Sequence, residues 1–243
     1  MRAAFAALAV VACSAPSPSS PPPLSGRKVT VAPTTPAPRI NYRNAELDFP
    51  RLPAIARSGK LIVCALEDND GGRGNPNLRL EIRDRGDRLV EKLVVMTPSE
   101  LDTLVPDGSN ASPMLDERIA AANRKLGELH ADHDLITMQD VPISADKLGS
   151  THPARGDSVV ITFDTDYKLR VRSDDSRMLA TVDGSSWRAP SGKRCAQCEP
   201  CDNPAYLAGA YKAPGIDVIV VRIRYQGTDT CWEPPDQLHV VAW

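Results

Sequence analysis

The sequence has almost no net charge and, beyond its first residues, no long apolar run. It carries 29 Lys and Arg against 31 Asp and Glu, a net charge of −2, and no basic stripe or set of stacking aromatics, so its composition argues against a nucleic-acid partner. No later apolar stretch approaches the roughly 18 residues that a transmembrane helix needs. Several catalytic motifs are missing as well: the G-x-S-x-G elbow, glycine-rich phosphate and dinucleotide loops, and H-E-x-x-H. No enzyme class is indicated, although catalytic carboxylates distant in sequence stay open.

The first thirteen residues are the most informative stretch. Arg2 gives a positive start, and Ala3–Ala12 is an apolar run of ten residues. Such a run is too short to span a bilayer as a helix, but it has the length of the apolar core of a secretory signal. It ends in the letters VVAC, with Cys13 followed at once by Ser14. The segment predicts export from the cytoplasm.

The end of this run resembles the lipobox of bacterial lipoproteins. The resemblance implies that residues 1–12 are a signal peptide and that Cys13 becomes the first residue of the mature protein, carrying palmitate or similar acyl chains. Stable anchoring needs more than one chain, and lipoproteins typically carry three. Ser14 in place of Asp resembles the outer-membrane sorting pattern. An ordinary secretory signal with an incidental Cys13 is the alternative.

A proline-rich segment follows the signal. Residues 14–38 contain eight prolines among Ser, Thr and Ala, a composition that cannot bury enough apolar surface to order itself and that favours extended polyproline II. We therefore interpret 13–38 as the lipidated cysteine and a disordered linker that tethers the protein to the membrane. Residues 39–243, with ordinary apolar content, are expected to form a single domain. The prolines are Pro16, Pro18, Pro21, Pro22, Pro23, Pro33, Pro36 and Pro38.

The pattern of this domain indicates an α+β fold with a mainly antiparallel sheet, one long helix and one or two short helices. Lys60–Leu66 is continuously apolar, as in a buried strand. Leu78–Asp84 alternates apolar and charged residues, which is typical of a half-exposed strand, and it forms a hairpin with Leu89–Met96. Strands are also expected at 135–138, 158–163, 167–172, 178–182, 216–225 and 238–243, whereas Ala205–Tyr211 is interpreted as a helical turn.

Two helices are predicted in the middle of the chain. The long one runs from Pro113 to about Ala131, because Ser112 is a good N-cap, proline suits the first helical position, and apolar residues recur at helical spacing. The short one lies within Thr97–Leu104.

Five cysteines remain after Cys13. In an exported protein the default expectation is disulfide bridging, and four cysteines in the last fifth of the chain are the candidates, in any of three pairings. The same four could instead bind zinc as a thiolate site, or the first two could act as a redox dithiol. Cys64, inside an apolar strand, is expected to be a buried free thiol. The four candidates are Cys195, Cys198, Cys201 and Cys231.

Weaker candidates have simpler explanations. His130 and His133 near a helix end could hold a metal, but histidines are favoured there by the helix dipole. The acidic loop from Glu67 to Asn77 lacks the spacing of a calcium-binding loop. Arg-Gly-Asp occurs at 85–87 and 155–157, where turn formation explains glycine and aspartate. Aromatic residues toward the C-terminus, which could line a groove, are more often core: Tyr206, Tyr211, Tyr225, Trp232 and Trp243.

We therefore expect a lipid-anchored, non-enzymatic protein of the cell envelope, at the outer membrane and facing the periplasm or the cell surface. Its domain would be a binding or structural module with no cofactor, and an envelope protein is the candidate partner besides the membrane. The alternatives are an exported hydrolase with an unrecognised site and a metal or redox module at the cysteine cluster.

Overall fold

The computed structural model describes residues 35–43, 46–67, 77–105, 110–142, 159–164, 166–188, 204–225 and 234–243, and the backbone of 154–156. All of them belong to one compact unit, Ala32–Trp243. Every strand pair among the described residues is antiparallel. The expected mainly antiparallel architecture with few helices is therefore confirmed, with strands distributed over several sheets.

A five-stranded sheet, here called the helix-side sheet, lies next to the helices. Its spatial order is β6-β5-β4-β3-β7. A short hairpin, β1 with β2, precedes it. The bounds are β1 Asn41–Arg43, β2 Glu46–Asp48, β3 Ala54–Ala56, β4 Leu61–Leu66, β5 Leu78–Asp84, β6 Leu89–Met96 and β7 Leu135–Thr137.

Two four-stranded sheets complete the described structure. The central sheet has the order β15-β14-β13-β8, and the outer sheet has the order β12-β11-β10-β9. Their bounds are β8 Gln139–Asp140, β9 Ala154–Gly156, β10 Val159–Phe163, β11 Lys168–Ser173, β12 Met178–Asp183, β13 Ala205–Lys212, β14 Val218–Tyr225 and β15 Gln237–Ala242.

The helices lie between β6 and β7 in the chain. Helix α1 is Leu101–Leu104, preceded by the 3-10 turn Pro98–Glu100, and helix α2 is Pro113–His133; a second 3-10 turn is Ser185–Trp187. Helix α2 begins where predicted, because the Ser112 side chain accepts a hydrogen bond from the Leu115 N–H. It ends at Asp134, whose left-handed conformation stops the helix.

Three apolar clusters show that these elements stack in layers. One face of the helix-side sheet packs on α2, and its other face packs on the central sheet. The opposite face of the central sheet packs on the outer sheet. Strand β4 shows the consequence, since Val63 contacts the helix cluster whereas Ile62 and Cys64 contact the central sheet. The continuous apolar run of β4 thus reflects a strand covered on both faces.

Two local expectations are wrong. Ala205–Tyr211 is not a helical turn but belongs to strand β13, Ala205–Lys212, which pairs with β14 along its length and has a bulge near Gly209. Strand β5 is not half-exposed, because its charged face is covered: Arg79 and Glu81 are only 6% and 7% exposed. Tertiary pairing overrides local preference in the first case. Internal charge pairing makes the burial tolerable in the second.

Residues 35–40, where the proline-rich segment passes into the domain, lie on α2. The Asn123 side chain accepts from the Ile40 N–H at 2.7 Å and donates to the Ile40 carbonyl at 2.8 Å. Further along the helix, His130 Nε2 lies 2.7 Å from the Thr35 carbonyl, and Pro38 is buried. A proline-rich segment has few N–H donors, but each of its residues has a carbonyl that can accept a hydrogen bond. Asn123 and His130 of α2 bind two carbonyls of this stretch, those of Ile40 and Thr35. The chain therefore enters the domain along one helix.

Candidate functional site

Three alternating residues of β5 form a buried ion cluster against the central sheet. The Glu81 carboxylate accepts from Arg79 Nε at 3.0 Å with one oxygen. Its other oxygen accepts from Arg83 Nη2 at 2.8 Å and from Arg83 Nε at 3.0 Å, which is a two-point contact. A carboxylate held by two guanidiniums in this way is strongly oriented.

The environment of Glu81 decides its protonation. Burial alone would raise its pKa, but the hydrogen bonds and charges of Arg83 and Arg79 outweigh burial, and the pKa of Glu81 lies below its usual value. The carboxylate is therefore ionised at neutral pH. Arg83 is affected in the complementary way: burial would lower its pKa, but Glu81 and Asp87 hold that pKa above the ordinary value.

The tip of the β5–β6 hairpin docks on strand β15 through Asp87. One Asp87 oxygen accepts from the Val240 N–H at 2.8 Å and from Arg83 Nη1 at 3.0 Å. The other oxygen lies 2.8 Å from His239 Nδ1. Asp87 has a φ of 65°, a left-handed conformation that aspartate tolerates better than most residues. Because β15 is an edge strand of the central sheet, this contact also covers one of its unpaired amides.

The remaining residues of the tip reinforce the docking. The Asp84 carboxylate accepts from the Gly86 N–H at 2.9 Å and so closes the turn. The Arg85 guanidinium donates to the carbonyls of Asp217 and Trp243, both at 3.1 Å. All three residues of the first Arg-Gly-Asp sequence are thus used inside the molecule, which agrees with turn formation and adds a docking role that the sequence did not show.

His239 connects this tip to the outer sheet. Its ring stacks on Trp187, with centroids 4.0 Å apart and planes at 14°, and its Nε2 lies 3.1 Å from Gln237 Oε1. Trp187 reaches this position because Gly184 has no side chain: a Cβ there would lie 2.7 Å from Trp187 Cε3 and 2.8 Å from the Tyr167 carbonyl. Both nitrogens of His239 are engaged, so the Asp87–His239 pair is built as a connection between layers.

Asp236 is a second centre of charge, at the start of β15. It is 2% exposed and accepts from Arg222 Nε at 2.6 Å and from Arg224 Nε at 3.2 Å. Its backbone carbonyl accepts from Arg79 Nη2 at 2.9 Å, which joins the two centres. Together they hold four guanidiniums and three carboxylates, one positive charge in excess before His239. We call this set the polar cluster: Arg79, Glu81, Arg83, Asp87, Arg222, Arg224, Asp236 and His239.

A small cavity of about 50 Å³ lies beside the polar cluster, where the helix-side and central sheets meet at their rim. Three polar side chains line it, those of Glu67, Tyr211 and Arg222. Burial raises the pKa of Tyr211, and the neighbouring Arg222 charge opposes that rise, so Tyr211 is a neutral hydroxyl at neutral pH. The apolar lining residues are Phe49, Leu52, Pro53, Ala65 and Leu238.

These two features differ in what they can do. In the polar cluster every carboxylate is paired with guanidiniums, and one guanidinium is in excess. These pairs fix how one sheet lies on another. The cavity combines a guanidinium, a hydroxyl and an apolar wall, which is the usual composition of a small-molecule site. It is far below the roughly 300–1,000 Å³ of drug-sized sites, so any ligand must be very small or present only a small group.

The cysteine predictions lie mostly outside the described residues. This applies to Cys13 and to all four candidates for disulfide or zinc binding, Cys195, Cys198, Cys201 and Cys231. Cys64 is described: it is a buried free thiol, as expected. Burial raises the pKa of the Cys64 thiol, which keeps it protonated and unreactive.

The two histidines near the end of α2 lie in different environments. His130 is buried with Nε2 on the Thr35 carbonyl, whereas His133 is exposed. Among the described residues, no three His, Cys, Asp or Glu side chains are grouped as metal ligands, and no helix there is long and apolar enough to cross a membrane. The acidic loop is described only at Glu67 and Asn77, and the side chains of the second Arg-Gly-Asp sequence are not described.

Sequence reasoning missed the polar cluster and the cavity. One signal was present: the charged positions of β5 read Arg-Glu-Arg at every second residue, so this face can neutralise itself. Alternating Arg222 and Arg224 in β14 continue a face that begins with Val218 and Val220. Asp236, which binds both arginines, follows two prolines, and nothing in its local sequence predicts that it is buried.

Comparison with known proteins finds no matching family model, no similar curated protein and no similar solved structure.

Proposed function

We propose that this chain is a lipid-anchored protein of the bacterial cell envelope whose folded part, residues 39–243, is a single α+β domain acting as a binding or structural module. The anchor would be the acylated Cys13, at the outer membrane and facing the periplasm or the cell surface. Its partners would be the membrane, through the N-terminus, and a component of the envelope.

The observation that carries the module role is the use of the buried charges. Glu81, Asp87 and Asp236 each bind at least two donors within the polar cluster, and His239 has both nitrogens engaged. Charged groups that bind each other across two sheets fix the position of one sheet relative to the other. This arrangement supports a rigid scaffold more than a hydrolase, whose base would need a free nitrogen or oxygen facing a nucleophile.

The docking of residues 35–40 supports the anchored part of the proposal. The contacts of Asn123 with Ile40 and of His130 with Thr35 fix where the chain leaves the domain. A tether that begins at one rigid point and continues through a proline-rich segment would hold the domain at a distance from the lipid without pressing it against the surface.

Labelled palmitate tests the anchor. Full-length protein is expressed in a Gram-negative host with radiolabelled palmitate, beside Cys13→Ser and the matched control Cys64→Ala. We expect label and detergent-phase partitioning in the wild type and in Cys64→Ala, and neither in Cys13→Ser. Equal labelling of Cys13→Ser, or an intact Met1 start by mass spectrometry, would refute the anchor.

A further inference from the structure

The cavity at the rim between the helix-side and central sheets combines one guanidinium of the polar cluster, that of Arg222, with the Tyr211 hydroxyl and an apolar wall. We propose that it binds a small carboxylate with a one- or two-carbon apolar body, with the carboxylate on Arg222 and Tyr211. This inference rests on the proposed role of the domain as a binding module and names the ligand chemistry of that role.

The size of the cavity sets the size of the ligand. One bound water needs about 10–15 Å³ of comparable volume, so about 50 Å³ holds a few non-hydrogen atoms. Acetate, propionate, glycine and alanine are near this limit. The body of a longer or aromatic acid does not fit inside this volume.

The charge favours an anion. Arg222 and Arg224 share the single Asp236 carboxylate, so one positive charge remains beside the cavity. The Glu67 carboxylate on the cavity wall offsets it weakly, because Glu67 is exposed and its charge is screened by solvent. The closest contact of Arg222 with Asp236 is through Nε, at 2.6 Å, and a guanidinium has five N–H donors in all. Of the two arginines, Arg222 alone lines the cavity. The Tyr211 oxygen accepts a hydrogen bond from Arg222, and its own O–H can donate. A carboxylate can therefore add to Arg222 beside Asp236, with the neutral Tyr211 hydroxyl as a second donor.

The rest of the lining selects the remainder of the ligand. Ala65 and Leu238 offer an apolar contact to one or two carbons, and the exposed Glu67 carboxylate repels a second negative charge. Sulfate and dicarboxylates are thus disfavoured. An amino group would be attracted to Glu67, so the carboxylate can come from a simple acid or from an amino acid.

Methyl and arginine side-chain NMR of the full-length protein tests the site. Acetate, propionate, glycine and alanine are titrated at constant ionic strength, with chloride and sulfate as reference anions. We expect saturable shifts at Ala65, Leu238 and Arg222, with dissociation constants in the millimolar range that so few atoms allow. Equal shifts with chloride or sulfate would show an adventitious ion only, and no shift up to about 100 mM would also overturn the proposal.

Three variants locate the binding. Arg222→Gln should weaken it at least about tenfold, whereas Arg124→Gln, which removes the same charge at an exposed position of α2, should change it by less than about threefold. Ala65→Leu fills the cavity without altering charge and should abolish binding, so the test survives if Arg222→Gln does not fold. Full binding by Ala65→Leu would refute the site.

Glu67→Gln separates the two sources of carboxylate. If the ligand is an amino acid, this change weakens alanine and spares propionate; if it is a simple acid, propionate already binds more tightly than alanine and the change does not weaken it. Palmitate labelling at Cys13 is independent of all these titrations. A failure of the cavity proposal and a failure of the anchor are therefore distinguishable.

Discussion

The two faces of the central sheet differ in side-chain composition, although they share the same strands. In β14, Ile219, Val221 and Ile223 face the outer sheet and belong to one apolar cluster. On the other face, the apolar positions give way to Arg222 and Arg224, which enter the polar cluster. The apolar face can gain stability in many arrangements, whereas paired charges are satisfied only in one. We infer that one interface supplies mainly burial and the other mainly a fixed orientation.

The largest effect is expected from removing the centre of the buried charges. Glu81→Ala leaves Arg79 and Arg83 buried without their shared carboxylate, and breaking such a group costs about 3–5 kcal/mol. The free energy of unfolding, measured by urea denaturation, should fall by that amount. Glu91→Ala is the control, because Glu91 pairs with Lys125 at the surface and should cost at most about 1 kcal/mol. Equal losses in the two variants would contradict the distinction between the faces.

A cavity on the apolar face is expected to cost somewhat less. Ile219 is fully buried against the outer sheet, and Ile219→Ala should lower the free energy of unfolding by about 2–5 kcal/mol, most of it lost burial and cavity formation. Leu89→Ala, at a position 45% exposed, should cost less than about 1 kcal/mol. If Ile219→Ala were as mild as Leu89→Ala, the outer sheet would not be a stabilising layer.

Disrupting the docking of the hairpin tip is expected to lower the free energy of unfolding by less than either change above. Asp87→Asn tolerates the left-handed backbone, but it loses the charge that binds Arg83 and His239 and offers the Val240 N–H only a neutral, weaker acceptor. We expect a loss of about 1–3 kcal/mol and faster hydrogen exchange at the Val240 amide.

The control for this prediction is Asp174→Asn, at an exposed turn of the outer sheet, which should stay within about 0.5 kcal/mol of the wild type. The ring contact supplies a second measurement: the Trp187 emission should change in Asp87→Asn, because His239 is no longer held on its ring. Unchanged exchange at Val240 would show that the tip does not cover the edge of β15.

Features that depend on neighbouring residues could be predicted from the sequence, whereas features that depend on distant strands could not. Strand β4 and the start of α2 were predictable because a continuous apolar run and the Ser112-Pro113 pair act locally. The burial of Arg79 was not, because the carbonyl to which its guanidinium donates belongs to Asp236, far along the chain. Strand β13 was missed because its eight residues form a strand by pairing with β14 and, at their end, with β8, which are both distant in sequence. The cavity was invisible for the same reason, since its lining comes from β4, β13, β14, β15 and the segment before β3.

The smallest effect is expected at the Glu100–Arg118 pair, which is half-buried and joins the same chemical groups as the buried Glu81–Arg83 pair. Glu100 accepts from Arg118 Nη2 at 3.0 Å and from the Thr97 N–H at 2.9 Å, at the start of the turn before α1. The hydrogen bond from Arg118, followed by those from Thr97, lowers the pKa of Glu100 to about 2. Because this pKa lies below the usual value, the contribution to stability is full above about pH 4.5 and is lost as the pH falls toward 2.

Carboxyl-carbon NMR measures this pKa directly. Arg118→Gln should raise the pKa of Glu100 toward its ordinary value and reduce the acid-dependent loss of stability in that window. Arg124→Gln, at an exposed position of the same helix, should leave the pKa of Glu100 unchanged. Glu81 is the internal comparison, because its lowered pKa depends on Arg79 and Arg83 and should not respond to Arg118→Gln. A shift of both carboxylates in Arg118→Gln would mean that the surface and buried ion pairs are coupled, and the separation of the two regions would not hold.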